Sequence, residues 1–312
     1  MPKQTSTTLA AAAGALLAEF RARPLPRAGS LIITLYGDAI APRGGTAWIG
    51  SLIRVLEDFA ISERLVRTSV FRLAKDGWLE AEQVGRRSYY RLTEEGAQRF
   101  REATHRIYGE PRHAWSGEWC LVLLAGVPSE ARDAIRRELG WLGFGSISPE
   151  VMAHPSPDAQ DLEAVLGRTG ASERVLVMQA RNEGPHNGVL RSLVRESWNL
   201  ADIEARYAAF LERFRPVLAA ARTARRIDPR TAFQVRTLLV QEYRRVLLRD
   251  PLLPQELLPA SWNGVAAYQL CRNLYRRVHR AADEYLGTAV ETADGPLPPP
   301  APDFYARFGG LD

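Results

Sequence analysis

The chain of 312 residues carries a formal net charge of +5 and is 46% hydrophobic, a balance that indicates a globular protein with room for two or three domains. The basic excess favours a polyanionic partner, although its strong bias towards arginine is better explained by a GC-rich genome. The absence of long apolar runs, of metal-ligand spacing and of paired cysteines argues against a membrane span and predicts a cytoplasmic, metal-free protein.

The first two predicted helices lie near the N-terminus. Residues 1–28 are predicted to be a tail with a frayed helix in its alanine-rich part, and the first domain is predicted over residues 29–110. Ser30 is expected to cap a short helix that ends at Gly37. A second helix is predicted over about residues 46–59, because its apolar residues recur at helical spacing. Both helices would offer apolar surface to the helix that follows.

The third predicted helix carries the most informative pattern in the chain. Ser62 is predicted to be its N-cap, and Val66, Val70 and Leu73 share one face that is expected to pack against the first two helices. The opposite face would then be exposed. It consists of Arg64, Arg67, Thr68, Phe71 and Arg72. Arginine on such a face can read guanine in the major groove, while Phe71 either contacts thymine methyl groups or packs under the next element.

A basic β-hairpin is predicted directly after this helix. Gly77 is expected to end the helix, and two strands then flank a tip of Gly85, Arg86 and Arg87 before another helix begins at Thr93. A recognition helix followed by a basic hairpin predicts a winged helix-turn-helix that binds duplex DNA. The predicted DNA contacts are Arg64, Arg67, Thr68, Phe71, Arg72, Arg86 and Arg87. The alternative is a winged helix that binds protein, with these charges solvated.

Residues 111–190 are predicted to form a second domain. The element order β-α-β-β-α-β is typical of a ferredoxin-like layer. A metal-dependent nuclease of this shape would need a carboxylate at the end of its first strand, but that strand ends in Leu124, Ala125 and Gly126. We therefore interpret this domain as a linking and dimerisation layer rather than as a metal site.

Residues 191–290 are predicted to be an all-helical effector-response domain, so the whole chain is predicted to be α+β. Arginine clusters beside aromatic residues on these helices could hold the phosphates of an effector. The predicted effector-binding residues are Tyr243, Arg244, Arg245, Arg249, Trp262 and Arg276. The alternative, which spacing alone favours, is a solvated face whose arginines pair with nearby acids such as Glu242. Residues 291–312 are predicted to be a C-terminal tail that begins with a proline-rich linker.

Known catalytic motifs are not found in the sequence. It has no nucleophile elbow, no Walker loop and no glycine pattern for a dinucleotide. We therefore predict that the chain is not an enzyme and has no cofactor. Two competing hypotheses remain: an enzyme acting on an acyl-coenzyme A with the winged helix as a passenger, and a scaffold whose winged helix binds protein.

Several blocks of sequence, in one order along the chain, resemble the PaaX family of phenylacetic acid degradation repressors. They are SLIITLYGDAIAPRGG at 30–45, the helix and hairpin at 63–92, WLGFGSISPEVMAHP at 141–155, YRRVLLRDPLLPQELLPASWNG at 243–264 and FYARFGG at 304–310. The resemblance implies a dimeric cytoplasmic repressor of phenylacetate catabolism genes that binds a palindromic operator and is released by phenylacetyl-coenzyme A. It also implies DNA contacts from Arg64, Arg67, Thr68, Arg72, Arg86 and Arg87.

Overall fold

The computed structural model describes residues 8–23, 28–110, 115–155, 157–181 and 188–311. Its contacts group these residues into two compact units. The first unit is drawn from Met1–Glu110, Ala209–Leu247 and Ala266–Asp312, and the second from Pro111–Ala208 and Leu248–Val265. Helices and antiparallel sheets occur together, which confirms the predicted α+β class.

The helices of the described residues, in chain order, are α1 (Leu9–Ala22), α2 (Ala28–Leu35), α3 (Ile49–Leu56), α4 (Glu63–Lys75), α5 (Glu94–Tyr108), α6 (Ser129–Trp141), α7 (Ala159–Arg168), α8 (Gly188–Ser197), α9 (Leu200–Thr223), α10 (Pro229–Leu247) and α11 (Gly264–Ala289). The strands are β1 (Thr46–Trp48), β2 (Leu79–Val84), β3 (Arg87–Leu92), β4 (Glu118–Leu123), β5 (Gly145–Ser148), β6 (Val151–His154), β7 (Leu176–Arg181), β8 (Glu291–Thr292) and β9 (Gly295–Pro296).

The first helix of the predicted DNA-binding domain differs from expectation at both ends. Ser30 lies inside α2 rather than capping it, and its hydroxyl bonds to the side chains of Gln241 and Arg244. The helix also does not end at Gly37, because a π-helical turn, Tyr36–Ile40, continues it. A Cβ at position 37 would lie 2.7 Å from the ring of Phe100. This glycine therefore allows close packing and does not act as a helix stop.

The second predicted helix begins three residues late. Residues 46–48 form β1, which pairs antiparallel with β3 so that Trp48 lies opposite Tyr89. Helix α3 begins only at Ile49. The prediction of helix from residue 46 was wrong because three strand residues are too few to show a period of two. The apolar face of the helix was predicted correctly, since Leu52, Val55 and Leu56 are buried.

Helix α4 matches its prediction. The Ser62 hydroxyl accepts a hydrogen bond from the backbone N–H of Leu65, as an N-cap does. Val66 and Val70 are fully buried and Leu73 nearly so. Strands β2 and β3 then pair from Leu79–Leu92 to Val84–Arg87, leaving Gly85 and Arg86 as a two-residue turn. Gly85 adopts a φ of +62°, which this tight hairpin turn favours.

The second unit is built on a four-stranded antiparallel sheet. Its elements run β4-α6-β5-β6-α7-β7, which is the predicted order, and its strands lie in the order β5-β6-β4-β7. One face of the sheet carries Cys120, Val122 and Met152, which join residues of α6 and α7 in a single apolar core. The sheet therefore has one face covered by these two helices, and β7 is an edge strand.

The described residues of the two predicted tails, 8–23, 28 and 291–311, are folded parts of the first unit. Helix α1 buries Leu16, Leu17 and Phe20 and packs against α10. At the other end, β8 and β9 form a short hairpin, and a 3₁₀ segment, Pro302–Gly309, buries Phe304 and Phe308 and leaves Tyr305 exposed. The proline-rich composition predicts a linker, but Phe304 and Phe308 supply enough apolar surface to fold it onto the unit.

Candidate nucleic-acid interface

The outward face of α4 is the candidate recognition surface. The five side chains predicted there, Arg64, Arg67, Thr68, Phe71 and Arg72, are all exposed. Phe71 is 68% exposed, so it does not pack under the hairpin. The Thr68 hydroxyl donates to the carbonyl of Arg64, and Arg67 forms a surface ion pair with Glu63 at 2.7 Å. An exposed ion pair of this kind contributes little to stability, so Arg67 can exchange Glu63 for a phosphate or a base.

The hairpin places its two arginines differently. Arg86 lies in the exposed turn. Arg87 lies along the side of the sheet, with its guanidinium 4.3 Å from the ring centre of Trp48 and its Nη1 2.8 Å from a carboxylate oxygen of Glu291. Arg54 contacts the same carboxylate at 3.3 Å. The hydrogen bond from Arg87 holds the pKa of Glu291 below its usual value. Arg87 is therefore already paired with an acid of the C-terminal hairpin.

The charges on this surface leave four cations available to an anion. Across the part of the chain that the structure describes, Arg64, Arg72, Lys75 and Arg86 form no ion pair. Arg91, on the hairpin, pairs with Glu80 of the neighbouring strand at 3.2 Å. The unpaired cations lie on the outward face of α4 and at the hairpin turn, where the predicted DNA backbone would run.

Replacing Glu291 with glutamine is expected to strengthen DNA binding about two- to five-fold, the size of an exposed ion pair. The glutamine keeps the shape of the side chain but removes the charge that competes with phosphate for Arg87 and Arg54. Fluorescence anisotropy with a promoter fragment measures the change. Glu150→Gln, which opens the pair between Glu150 and Arg132 in the second unit, is the matched control. Weaker binding by E291Q than by the control would contradict the expectation.

The first unit contains a buried charge network that the sequence does not predict. Asp38, in the π-helical turn, accepts hydrogen bonds from Tyr108 at 2.7 Å and Tyr275 at 2.8 Å, and ion pairs with Arg236 at 2.7 Å and Arg307 at 3.0 Å. Burial would raise the pKa of Asp38, but the two guanidinium groups outweigh it and hold that pKa below its usual value. The network therefore ties the start of the DNA-binding region to α5, α10, α11 and the C-terminal segment.

The network has a second acid. Asp283 on α11 accepts from Arg43 and from Arg236, both at 2.5 Å. His279, one turn earlier, is buried, which lowers its pKa and favours the neutral imidazole. Arg236 is thus held between two carboxylates at only 1% exposure. Arg43 belongs to the loop before β1, so this pair fixes the connection between the first two helices of the DNA-binding region.

The predicted effector-binding residues lie in several places. Tyr243 is buried with its ring 5.6 Å from that of Phe210, and Arg244 donates to the carbonyl and hydroxyl oxygens of Ser30. Burial lowers the pKa of Arg244 to about 10. The other members are divided between the units. Arg245 is 3.6 Å from Glu242 and Arg276 contacts the carbonyl of Phe308, both in the first unit, whereas Arg249 and Trp262 lie in the second.

Only part of the predicted effector set is brought together. Tyr243, Arg244 and Arg245 share α10, and the pair of Arg245 with Glu242 is the contact that the solvated-face alternative predicts. The effector-binding role of these residues stays a prediction. Within the described ranges, no group of three His, Cys, Asp or Glu residues is arranged to hold a metal, and no helix is long and apolar enough to cross a membrane.

Comparisons with known proteins identify the family. Three family models cover most of the chain: the PaaX-like protein at residues 27–96, the PaaX protein central Cas2-like domain at 112–189 and the PaaX-like protein C-terminal domain at 198–288. The transcriptional repressor PaaX of Escherichia coli (strain K12) is 41% identical over 285 residues, which are 91% of this chain and 90% of that protein. The chain belongs to the PaaX family. This confirms the resemblance stated from the sequence blocks.

Membership of the PaaX family places the chain among transcriptional regulators rather than enzymes. The candidate interface described above, α4 with the β2–β3 hairpin, lies within the segment matched by the PaaX-like model. Among solved structures, an uncharacterized protein from Mycobacterium tuberculosis is 26% identical and covers 74% of this chain and 90% of its own, with a TM-score of 0.47.

Proposed function

We propose that this PaaX-family chain is a cytoplasmic transcriptional repressor that binds operator DNA as a homodimer and is released by phenylacetyl-coenzyme A. The observation that carries the proposal is the exposed face of α4, whose arginines stand beside a basic hairpin turn. The Escherichia coli relative, which is a transcriptional repressor by name, supports the same function. The acyl-coenzyme A and the phenylacetate genes come from the family resemblance.

In this proposal residues 29–110 act as a winged helix-turn-helix. Helix α4 would enter the major groove, and the β2–β3 hairpin would follow the backbone beside it. The packing of α2, α3 and α4 around Val66 and Val70, with a hairpin that β1 extends to three strands, supports this assignment. Arg64, Arg67 and Arg72 would contact bases or phosphates, and Arg86 would contact phosphate.

The central domain would be a ferredoxin-like layer that pairs two chains. Its β-α-β-β-α-β order and the strand order β5-β6-β4-β7 support this assignment. A two-fold dimer places its two recognition helices in successive major grooves, about 34 Å apart. Most of the affinity would come from phosphate contacts, so binding should weaken steeply as salt is raised.

An anionic effector is supported by Arg244. This side chain is largely buried and pairs with no carboxylate among the described residues, and its Nε has no hydrogen-bond partner there. A phosphate would supply the missing charge. Release requires that the effector bind more tightly to a conformation that no longer fits DNA. A coupling free energy of about 1–3 kcal/mol would weaken operator binding about 5- to 150-fold.

The test is an anisotropy titration of the full chain with promoter DNA from its own gene cluster, at fixed salt. Phenylacetyl-coenzyme A is expected to release the complex and free phenylacetate is not. If the chain binds its promoter specifically but phenylacetyl-coenzyme A does not change that binding, the repressor assignment stands and phenylacetyl-coenzyme A is rejected as the inducer. If no promoter of the cluster is bound specifically, the repressor proposal fails and the scaffold or passenger-enzyme hypotheses return.

A further inference from the structure

Strand β7 is an exposed apolar edge. It lies at the end of the sheet order and pairs with β4 on one side only among the described residues. Leu176 is 57% exposed, Val177 40% and Met178 44%. Proteins normally protect such an edge with charges, prolines or a covering element, because its free N–H and C=O groups pair readily with another strand. The three consecutive exposed apolar residues of β7 leave this edge unprotected, which indicates that it binds another strand.

The apolar surface continues from this edge onto the face of the sheet opposite α6 and α7, which Trp198 covers at Trp119 and Gly145 but which is partly exposed beside β7. Cross-strand partners share a face, and Met178 lies opposite Leu121 while Leu176 lies opposite Leu123. Both leucines are only half-buried and alternate with Cys120 and Val122, which belong to the core beneath the helices. Next to the unpaired edge, this face therefore presents a patch of four apolar side chains that are exposed or half-buried.

We infer that β7 pairs antiparallel with β7 of a second copy of this chain, about a two-fold axis at Val177. Along an edge strand, every second residue points its backbone N–H and C=O groups outward. A two-fold antiparallel pairing must therefore match odd-numbered residues with odd-numbered ones and even-numbered residues with even-numbered ones. Centring it on Val177 sets each Leu176 against the partner's Met178 and each Val177 against the partner's Val177. This register matches apolar side chains with apolar side chains along the exposed part of the strand.

Charge favours the same register. In this register Arg181 of each copy lies opposite Glu173 of the other copy, in the turn before β7. Arg174 lies opposite the uncharged Ala180. Each dimer thus gains two Glu173–Arg181 pairs and places no like charges directly opposite one another. The occupant of the edge is therefore a second copy, and the two four-stranded sheets join into one. The inference deepens the proposed homodimer and rests on that part of the proposed function.

Sedimentation velocity of the full chain, over a range of concentrations, tests the pairing. The natural chain is expected to be a dimer, and Val177→Lys is expected to raise the dimer dissociation constant at least about ten-fold, because two lysines then meet at the axis. Val189→Lys, at a valine on α8 that is 75% exposed, is the matched control and should leave the constant unchanged. A monomeric natural chain, a V177K variant that still dimerises normally, or equal loss in both variants would overturn the pairing.

A charge exchange at two exposed positions tests the register. Glu173→Arg and Arg181→Glu should each weaken the dimer, and the double exchange should restore it, because the pair then reforms with its signs reversed. Two weak single variants with no recovery in the double would overturn this register. Operator binding by the natural chain is measured in a separate titration, so that the dimer inference and the repressor proposal can fail independently. A chain that binds its operator but does not use β7 contradicts only this inference, whereas a β7 dimer that binds no operator contradicts the repressor proposal.

Discussion

Replacing Asp38 with asparagine is expected to lower the free energy of unfolding by about 3–5 kcal/mol, the cost of removing one partner from a buried ion pair. Asparagine fills the same space but leaves Arg236 and Arg307 without the charge that compensates them. Both arginines are buried, at 1% and 5% exposure. Arg236 keeps its contact with Asp283, but Arg307 has no second carboxylate among the described residues.

Urea denaturation followed by tryptophan fluorescence measures this loss as a change in transition midpoint at constant slope. The control is Asp202→Asn, because Asp202 forms an exposed pair with Arg206 on α9 and should contribute less than about 1 kcal/mol. If both variants lose the same small amount, the buried network does not stabilise the unit in the way its geometry indicates.

The same residue gives a pH dependence whose sign follows from its pKa. The pKa of Asp38 in the folded chain lies below its unfolded value, because Arg236 and Arg307 outweigh the effect of burial. Its contribution to stability is therefore complete above the unfolded pKa of about 3.9 and is lost as the pH falls through the folded value. The natural chain should lose this contribution in acid and D38N should not, so their stabilities converge below about pH 4.

Local patterns predicted the recognition region well. The N-cap at Ser62 and the buried face of Val66 and Val70 depend on residues three or four positions apart, and both are present in the structure. The element order of the second unit was also predictable, because each strand and helix carries its own periodicity. The short strand β1 was not, since its pairing with β3 is set by residues about forty positions away.

The Asp38 network could not be predicted from periodicity. Asp38 and Arg307 are 269 positions apart, and Asp38 and Arg236 are 198 apart. Nothing local marks a buried arginine, and the segment around Arg307 was assigned to a tail because of the prolines before it. Glu291 is missed as well, because the predicted tail begins at this residue, although it pairs with Arg87 of the predicted interface. An aromatic pair flanking an arginine, as in Phe304 to Phe308, is the one signal that could have indicated a folded end.

Replacing Arg67 with alanine is expected to weaken operator binding by about 1–3 kcal/mol and to relax sequence preference at one position, if this side chain reads a base. Its location supports that role, because it lies on the outward face of α4 and is paired with the exposed Glu63, at 2.7 Å, which a phosphate or base can displace. Anisotropy against a set of single-base operator variants measures affinity and preference together. Arg222→Ala, which removes an exposed charge from α9, controls for the loss of net charge.

Arg86 at the hairpin turn provides the contrast that separates base reading from charge. If Arg86 contacts phosphate, R86A should weaken binding about equally for every sequence and reduce the slope of log affinity against log salt by about 1. R67A should instead change the ranking of the operator variants. Unchanged affinity in both variants would remove α4 and the hairpin from the interface. Because Arg86 and Arg67 lie on different elements, loss in both with these two distinct signatures is expected only when helix and hairpin contact the same duplex.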